Sequence, residues 1–434
     1  MNLTLFEQGR IPIRPRPARD ERSVDEQVAV GLCELGESIG TRLASLEGLR
    51  ALRVHQFVGA ARVGETDIEI LPKPEGGTDP APMRDSLLEM LAVTQDLDVR
   101  AADLYAYQDT SGSFIKTLAR FYCRQLLEAY RRGLRQDYVP QSELLPRIRG
   151  KIEWSRQSRI TATARLEFAC SFDERSENTP LNQVLKEALV AADLIIGNSP
   201  SRSLVTGLLH ALDGVSNVVR SPDQRLRVAT DRMSRHLNPL LSLARLLLGG
   251  RNPDLGRSAG GPHGTYALLW DMNVLFEEYV GRMAQQALAP AGLRVDLQSG
   301  GKHLARDLTR ERPAFLLRPD IIVRTRRTLM AVADTKWKTL DPSDRNLGVS
   351  ESDVYQVLAY AHTYGVERAL LIYPHHPALG TPGKQRAYSV GTPISGPVRL
   401  EVLTLDLARL HGVAPQLLEA LDPAGPKPAC SSVA

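Results

Sequence analysis

Two apolar runs separated by a short polar segment predict a pair of neighbouring β-strands in the C-terminal half of the chain. The first run is Phe315 to Val323 and the second is Leu329 to Lys338, with the polar residues Arg324 to Arg327 between them. Short runs rich in Leu, Ile and Val and bounded by polar residues are typical of buried strands. We therefore expect both runs to lie in the core of one sheet.

Helical periodicity surrounds these strands. Apolar residues recur every three or four positions over Tyr266 to Leu288, which predicts a helix there. A second helix is expected from Ser350 to Gly365, with a serine as its N-cap and a glycine as its stop. Further apolar runs over Arg368–Tyr373 and Val398–Leu405 predict more strands. The order helix, strand, strand, helix, strand predicts a C-terminal α/β core, a mixed sheet flanked by helices.

The remaining pattern divides the chain into regions. A β-hairpin is predicted over Val54–Leu71, helices over Phe114–Arg132 and Leu181–Ile196, and a flexible linker over Gly249–Gly264, which holds six glycines and two prolines. The fold class expected is α/β with an α+β N-terminal region. The regions predicted are a β-rich N-terminal region (1–100), a mostly helical middle (101–248), a linker (249–264), the C-terminal core (265–410) and a tail, disordered at its end (411–434).

Composition narrows the protein class. The chain has 434 residues, of which 43% are hydrophobic, so it can form more than one core. No apolar run approaches the roughly 18 residues that span a bilayer, and the first residues lack a signal-peptide core. The four cysteines are scattered without metal-like spacing, and the adjacent His375 and His376 are read as the exposed end of a strand. We expect a cytoplasmic protein with reduced thiols and no membrane partner.

Three polar side chains on the paired strands point to metal-dependent chemistry. Asp334 and Lys336 are two residues apart and project to one face of a strand, and Asp320 on the adjacent strand can lie beside them. Two carboxylates suit Mg²⁺, which prefers oxygen ligands and retains waters. The metal would activate a water, and the lysine would orient it or neutralise a phosphate. Glu277 on the preceding helix, or its neighbour Glu278, can add a third carboxylate, although Glu278 is read as a solvated charge.

An Asp-x-Lys triplet also arises by chance, so its surroundings decide between the two interpretations. This triplet lies on an apolar run, where an unpaired Asp and Lys would be costly to bury. The net charge of the chain is only +4, but the segment from Glu311 to Lys338 contains seven basic and three acidic residues. A basic surround is what binding of a phosphate backbone requires. No phosphate-binding loop of the type G-x-x-x-x-G-K-[ST] occurs, so we expect the chain to bind no nucleotide itself.

These residues resemble the signature of the PD-(D/E)xK endonuclease superfamily, through Asp320, Asp334 and Lys336. Gln356 and Tyr360 are similar to the Gln-x-x-x-Tyr element of its RecB-like branch. Segments in family order resemble the McrC subunits of McrBC modification-dependent restriction systems: Ile68–Lys73, Arg149–Ile152, Cys170–Glu174, Asn178–Asn182 and Asp271–Glu277. The chain departs from the pattern at Gln183, where an arginine is expected, and in its acidic member, which is Asp rather than Glu.

The resemblance implies a partner and a division of labour. McrC subunits act with an AAA+ GTPase, McrB, which forms a hexameric ring, holds the GTP and recognises modified cytosine in double-stranded DNA. The resemblance implies that the N-terminal half docks on the ring and stimulates GTP hydrolysis, and that the C-terminal core is a Mg²⁺-dependent endonuclease. A basic residue from the N-terminal half would then assist the hydrolysis, with Arg132, Arg149 and Lys151 as candidates.

Two alternatives remain open at this point. The chain can act mainly as a regulatory activator of a ring NTPase, with a nuclease-like domain that holds DNA without cutting it. It can also be a stand-alone RecB-like repair nuclease. The Asp/Asp/Lys triplet favours a cutting enzyme over an inactive domain.

Overall fold

The computed structural model describes residues 2–15, 23–73, 80–97, 113–160, 167–197, 199–249, 267–391 and 396–422. Its helices are α1 Glu26–Ser38, α2 Ala81–Thr94, α3 Phe114–Arg132, α4 Trp154–Ile160, α5 Pro180–Ile196, α6 Arg202–Ala211, α7 Pro222–Arg227, α8 Asn238–Leu247, α9 Met272–Leu288, α10 Glu351–Tyr364 and α11 Val413–Leu421. Its strands are β1 Asn2–Phe6, β2 Arg10–Pro12, β3 Ala44–Glu47, β4 Ala51–Val54, β5 Phe57–Val63, β6 Thr66–Leu71, β7 Asp137–Leu145, β8 Lys151–Ile152, β9 Phe168–Ser176, β10 Ala267–Asp271, β11 Arg294–Leu297, β12 Lys302–Asp307, β13 Arg312–Leu317, β14 Ile321–Arg324, β15 Leu329–Thr335, β16 Arg368–Pro374, β17 Gly383–Val390 and β18 Val398–Leu405.

The chain forms two compact units that are not consecutive in sequence. One unit combines residues 1–103 with 269–434, and the other comprises residues 104–268. The expected separation of an N-terminal region (1–100) from the C-terminal core (265–410) is therefore not the division found. Most of the predicted linker, residues 250–264, lies outside the described residues, as does the end of the tail from residue 423.

The described residues of the unit 104–268 are mostly helical. Helices α3, α5 and α8 pack together, and the hydroxyl of Tyr122 donates to the carbonyl oxygen of Leu185 at 2.5 Å in their core. Strands β7, β9 and β8 form a small antiparallel sheet. Gly150 has φ +70°, and a Cβ there would lie 2.4 Å from the carbonyl oxygen of Ser171, so the tight approach requires glycine.

The N-terminal part of the other unit contributes two small sheets. One has the strand order β1-β6-β5-β10, in which β1 and β6 are parallel and β5 and β6 form the predicted hairpin. The other has the order β2-β4-β3. Helix α2 packs on α9. Ser86 on α2 donates to the carbonyl oxygen of Leu407 at 2.7 Å, and Arg282 on α9 donates to that of Val93 at 3.1 Å. These contacts between distant segments join residues 1–103 to residues 269–434.

The C-terminal part of this unit is a six-stranded mixed sheet with the order β11-β14-β15-β16-β18-β17. The central pairs β15–β16 and β16–β18 are parallel, and the outer pairs are antiparallel. Helix α10 packs on β15 and β16, and α9 contacts β11 and β15. Buried residues from the strands and α10, among them Val332, Val357 and Leu371, form the core between them. The predicted mixed α/β class is confirmed.

Three predicted elements differ from the structure. Residues 267–271 form a strand that precedes α9, whereas the helix was expected to begin at Tyr266; a short apolar run is compatible with either state, and pairing with β5 decides it. The expected strand Phe315–Val323 is interrupted, because residues 318–320 separate β13 from β14. The predicted tail begins with helix α11, whose apolar face is buried.

None of the described helices combines the length and the apolar character needed to cross a bilayer.

Helix α11 provides a test of its role in the core. Leu417 is fully buried and its neighbour Leu418 is 37% exposed. We expect Leu417→Ala to lower the free energy of unfolding by about 2–5 kcal/mol, because it removes buried methyl groups and leaves a cavity. Leu418→Ala, the matched control, should cost about 1 kcal/mol or less. Urea denaturation of both variants measures this, and equal effects would show that α11 is not part of the core.

Candidate functional site

The three residues of the predicted metal site meet at the end of two paired strands. Asp334 is the penultimate residue of β15, and Lys336 follows that strand. Asp320 lies directly before β14, whose first residue, Ile321, pairs with Ala333. The register therefore places Asp320 opposite Asp334. The predicted neighbourhood of the three residues is found, although Asp320 stands beside a strand rather than within one.

Both carboxylates are fixed by the end of β15. Asp320 Oδ2 accepts hydrogen bonds from the backbone N–H of Thr335 at 2.7 Å and from its hydroxyl at 2.8 Å. Asp334 is almost fully buried, and its Oδ2 lies 2.6 Å from Lys336 Nζ. This oxygen accepts no hydrogen bond of standard geometry from the described residues, so the contact with the lysine is an ion pair of poor alignment. Lys336 and Thr335 thus fix the orientation of the two carboxylates.

Helix α10 supplies a chain of hydrogen bonds that leads to the lysine. Ser350 caps the helix and Gly365 ends it in the left-handed conformation, as the sequence predicted. Gln356 and Tyr360 lie one turn apart on it. Lys336 Nζ donates to Gln356 Oε1 at 3.1 Å, and Gln356 Nε2 donates to the hydroxyl oxygen of Tyr360 at 2.8 Å. The structure therefore brings both residues to the site, and they hold the ammonium group in place.

Glu277 is the carboxylate of helix α9 that faces this group. Gln298 Nε2 donates to Glu277 Oε1 at 2.8 Å, and the backbone N–H of Gln298 donates to the carbonyl oxygen of Asp320 at 3.0 Å. Gln298 thereby links the glutamate to the Asp320 loop. Burial raises the pKa of Asp320, and the negative charge of Glu277 raises it further. The sequence did not identify Gln298, which has no pattern of its own.

The electrostatics of the site favour a bound cation. Burial raises the pKa of Asp334, and the neighbouring Asp320 carboxylate raises it further. Burial by itself lowers the pKa of Lys336, but the pair with Asp334 and the field of Asp320 outweigh it, so the pKa of Lys336 is raised. Two carboxylates that repel each other in a buried place leave negative charge that one ammonium compensates only in part. A divalent cation would complete the compensation.

The donor set fits magnesium rather than a softer metal. No group of three or more His, Cys, Asp or Glu residues within the described part of the chain is arranged to hold a metal ion. Asp320 and Asp334 offer two oxygen ligands, and Mg²⁺ is bound by one or two carboxylates together with waters and substrate phosphates. Zinc sites, by contrast, need three or four protein ligands. Asp320 and Asp334 therefore offer the kind and number of oxygen ligands that Mg²⁺ accepts, and their role as its ligands stays a prediction.

Beside the site lies a buried acid that the sequence analysis missed. Glu7 is 1% exposed; it accepts a hydrogen bond from the indole N–H of Trp337 at 2.5 Å and another from the backbone N–H of Lys73 at 3.2 Å. The Trp337 ring packs against Phe276, with 5.3 Å between ring centroids. This contact joins residues 330 positions apart, and no sequence pattern predicts it. The sequence shows a glutamate directly after the apolar strand β1, but it does not show the partner of that glutamate.

The prediction that His375 and His376 form the exposed end of a strand is wrong for His375. His375 was expected to be exposed, but it is buried; its Nδ1 lies 3.0 Å from the hydroxyl of Thr404 and its Nε2 lies 3.1 Å from the carbonyl oxygen of Gly380. Burial lowers its pKa. Both ring nitrogens have partners, so His375 is a structural residue at the end of β16.

The three basic candidates for stimulation of a partner lie in the unit of residues 104–268. Arg149 pairs with Glu174 at 3.2 Å and stacks over the ring of Phe172. Arg132 lies 3.8 Å from Glu128 on α3, and Lys151 is exposed on β8. All three are surface residues, and their assignment stays a prediction.

Comparisons with known proteins relate this chain to McrBC restriction systems. A family model described as a McrBC 5-methylcytosine restriction system component matches residues 52–374. The type IV methyl-directed restriction enzyme EcoKMcrBC of Escherichia coli K12 is 23% identical over 266 residues, which are 58% of this chain and 74% of that protein.

Two solved structures from Thermococcus gammatolerans have a similar fold. One is a half-complex of McrB AAA+ hexamers with bound McrC; the match has a TM-score of 0.73 and 17% identity, and covers 97% of this chain and 99% of that one. The other is the McrBC complex, with a TM-score of 0.53 and 20% identity, covering 66% of this chain and 88% of that one.

The buried Glu7 predicts a pH-dependent stability. Burial raises the pKa of Glu7 from its usual 4.5 to about 7. Between these pH values the unfolded chain loses the proton while the folded chain keeps it, so folding stability falls as the pH rises through this window. Glu7→Gln keeps an acceptor for Trp337 but removes the titration. Relative to this variant, wild type should lose up to about 3 kcal/mol between about pH 4 and pH 8.

Denaturant unfolding at the two pH values measures this difference. Glu34→Gln, a change at an exposed residue of α1, is the matched control and should follow wild type. If the stabilities of wild type and Glu7→Gln change in parallel with pH, Glu7 is not buried as an acid.

Proposed function

Because the chain belongs to the family of McrBC 5-methylcytosine restriction system components, we propose that it is the nuclease subunit of such a system. It cleaves DNA by Mg²⁺-dependent hydrolysis of a phosphodiester bond. The observation that carries this proposal is the meeting of Asp320, Asp334 and Lys336 at the end of β14 and β15, with Lys336 2.6 Å from Asp334.

The proposal includes the fold of the C-terminal core, which we assign to the PD-(D/E)xK type. Its support is the mixed sheet with α9 and α10 packed on β15 and with the acidic residues and the lysine at one strand end. The hydrogen-bonded pair Gln356 and Tyr360 supports the RecB-like branch. This placement agrees with the general rule that catalytic groups sit where strands end and loops begin.

Each side chain has a separate task in the proposed reaction. Asp320 and Asp334 would hold Mg²⁺, which supplies an activated water and stabilises charge on the attacked phosphate. Lys336 contributes a fixed positive charge beside Asp334, where it can orient the water or neutralise a phosphate oxygen. Thr335 orients Asp320 through two hydrogen bonds.

The groups around these three fix their geometry. Gln356 holds Lys336, and Tyr360 holds Gln356. Glu277 adds a third negative charge near Asp320, which strengthens the attraction for a divalent cation.

The proposed system contains a partner that binds the nucleotide. In the solved Thermococcus gammatolerans assembly, McrC is bound to McrB AAA+ hexamers. We propose that this chain likewise docks on a hexameric AAA+ GTPase ring, stimulates its GTP hydrolysis and leaves recognition of modified cytosine to it. The absence of a phosphate-binding loop motif from the sequence supports a division in which GTP stays on the partner.

The test of the nuclease assignment uses Asp334→Asn in the complex with the AAA+ partner, Mg²⁺ and GTP. Cleavage of plasmid DNA carrying 5-methylcytosine should fall by about 10³-fold or more, because metal stabilisation of the reacting phosphate amounts to several kcal/mol. Stimulation of GTP hydrolysis should persist. Asp213→Asn, an exposed aspartate of the unit of residues 104–268, is the matched control and should cut normally.

The two readouts separate the candidate functions. If wild type stimulates GTP hydrolysis but no protein cuts, the chain is a regulatory activator and the nuclease assignment is wrong. If wild type cuts methylated DNA without any partner or GTP, the stand-alone repair nuclease is the better interpretation.

The hydrogen-bond chain on α10 gives a second, graded prediction. Gln356→Leu removes the acceptor of Lys336, so cleavage at saturating Mg²⁺ should fall about tenfold, whereas DNA affinity should not change. Tyr360→Phe leaves Gln356 in contact with Lys336 and should have a smaller effect. Single-turnover cleavage rates measure both. A larger loss for Tyr360→Phe than for Gln356→Leu would show that the chain of hydrogen bonds does not position the lysine.

A further inference from the structure

A two-stranded ribbon stands next to the candidate nuclease site. Strands β12 and β13 pair antiparallel, from Lys302 opposite Leu317 to Asp307 opposite Arg312. They form a sheet of their own and do not join the six-stranded sheet. Six residues in each strand give the ribbon a length of about 20 Å. We call residues 302–317 the ribbon.

The ribbon is almost entirely exposed. The apolar side chains of Leu308, Phe315 and Leu304 are 88%, 73% and 50% exposed, and among the residues of the ribbon only Leu317, at its base, is buried. An isolated two-stranded hairpin is marginally stable in water, and exposed apolar groups in a cluster mark interaction sites. Exposure of this kind is typical of a segment that another molecule covers when the protein acts.

Two residues of the ribbon have strained backbone conformations. Phe315 has φ +59° and Glu311 has φ +51°. Residues with a side chain adopt positive φ uncommonly, and for a bulky aromatic residue it is an outlier. Strain of this kind is concentrated at functional sites. At Phe315 it coincides with the exposure of a phenyl ring five residues before Asp320.

The charge of the ribbon is positive. Its charged residues are four cations against two anions: Lys302, Arg306, Arg310, Arg312, Asp307 and Glu311. The oxygen Oδ1 of Asp307 accepts hydrogen bonds from the backbone N–H groups of Thr309 and Arg310. The guanidinium groups of Arg310 and Arg312 make no hydrogen bond or ion pair with any residue that the structure describes. These cations are therefore free to contact phosphate groups.

Both ends of the ribbon are anchored at the site. Gln298, shortly before β12, is bonded to the carbonyl oxygen of Asp320, shortly after β13. Lys302 Nζ donates to the carbonyl oxygen of Thr363 at 3.1 Å and lies 4.9 Å from the centre of the Tyr364 ring, at the end of α10. The hydroxyl of Tyr364 donates to the carbonyl oxygen of Ser299 at 3.0 Å. The base of the ribbon is thus tied to the Asp320 loop and to the C-terminal end of α10, the helix that carries Gln356 and Tyr360.

We propose that the ribbon inserts into the major groove of the substrate DNA beside the bond that is cut. The major groove of B-form DNA admits a two-stranded β-ribbon, and arginines contact its phosphates and base edges. The positive charge favours DNA over a protein surface, and the exposed Phe315 and Leu308 suit apolar contact with thymine methyl groups. This proposal rests on the proposed function, because it takes DNA as the molecule on which the chain acts.

The first test measures DNA binding by the full chain in complex with its AAA+ partner. The triple variant Arg306→Ala/Arg310→Ala/Arg312→Ala and a control triple, Arg50→Ala/Arg232→Ala/Arg409→Ala, remove the same charge; the control arginines are exposed residues outside the ribbon. Both are combined with Asp334→Asn, so that binding is read without cleavage. The probe is a fluorescent duplex containing 5-methylcytosine.

The ribbon triple should weaken binding at least tenfold and lower the slope of log K against log salt by roughly 3, about 0.9 for each phosphate group that an arginine no longer neutralises. The control triple should leave both unchanged. If the two triples weaken binding equally, only net charge matters and the ribbon has no special role. If the ribbon triple binds as wild type does, the proposal is overturned.

The second test identifies what the ribbon touches. Leu308→benzoylphenylalanine places a photoreactive group on the turn of the ribbon, and illumination of the complex on labelled duplex should give a protein–DNA adduct. An adduct only with the AAA+ partner, or only with a second copy of this chain, would assign the ribbon to a protein interface instead. Ribbon-dependent binding of the duplex, together with a lack of cleavage by the chain that retains Asp334, would leave the contact between ribbon and DNA standing and remove the nuclease assignment alone.

Discussion

The arrangement of the site depends on one buried interaction, the ion pair of Asp334 with Lys336. A carboxylate buried to this degree would be strongly destabilising without a compensating charge, and the lysine supplies it at 2.6 Å. Asp334 and Lys336 can pair because alternate residues of an extended segment share one face. Thr335, which lies between them, donates to Asp320 instead. The end of one strand therefore orients both carboxylates and the ammonium. Gln356, Glu277 and Gln298 then act on groups that are already in place.

The parts of the site that are local in sequence could be predicted. The spacing of Asp334 and Lys336 identifies their shared face, and the helical spacing of Gln356 and Tyr360 identifies theirs; the structure brings all four together. The strand assigned to Asp320 was too long, because apolar residues on both sides concealed the break at residues 318–320. Hydrophobic pattern indicates what is buried, but it does not show where the pairing partner of a strand changes.

The parts that depend on distant residues could not be predicted. Glu7 reaches Trp337 across 330 positions, and β10 is a strand because it pairs with β5. The ribbon was missed for the opposite reason: most of its side chains are exposed, so its strands lack the apolar alternation that reveals a half-buried strand. Sequence patterns report burial in a core, and elements formed for contact with another molecule leave a weaker signal.

Because residues 1–103 and residues 269–434 form one compact unit, a movement of the first segment can act directly on the second. A nuclease on a flexible linker would act independently of a docking region. Here, however, β1 is followed directly by Glu7, whose carboxylate accepts a hydrogen bond from Trp337, the residue after Lys336. Helix α2 likewise packs on α9, which carries Glu277. If the N-terminal half contacts a ring, as the family resemblance implies, then the part of that contact made by residues 1–103 belongs to the same compact unit as the Asp/Lys site. A displacement of β1 would then act on Trp337 through a buried hydrogen bond, where low dielectric makes the loss of a partner costly. Residues 1–103 and the Asp/Lys site are therefore connected by packing within one compact unit.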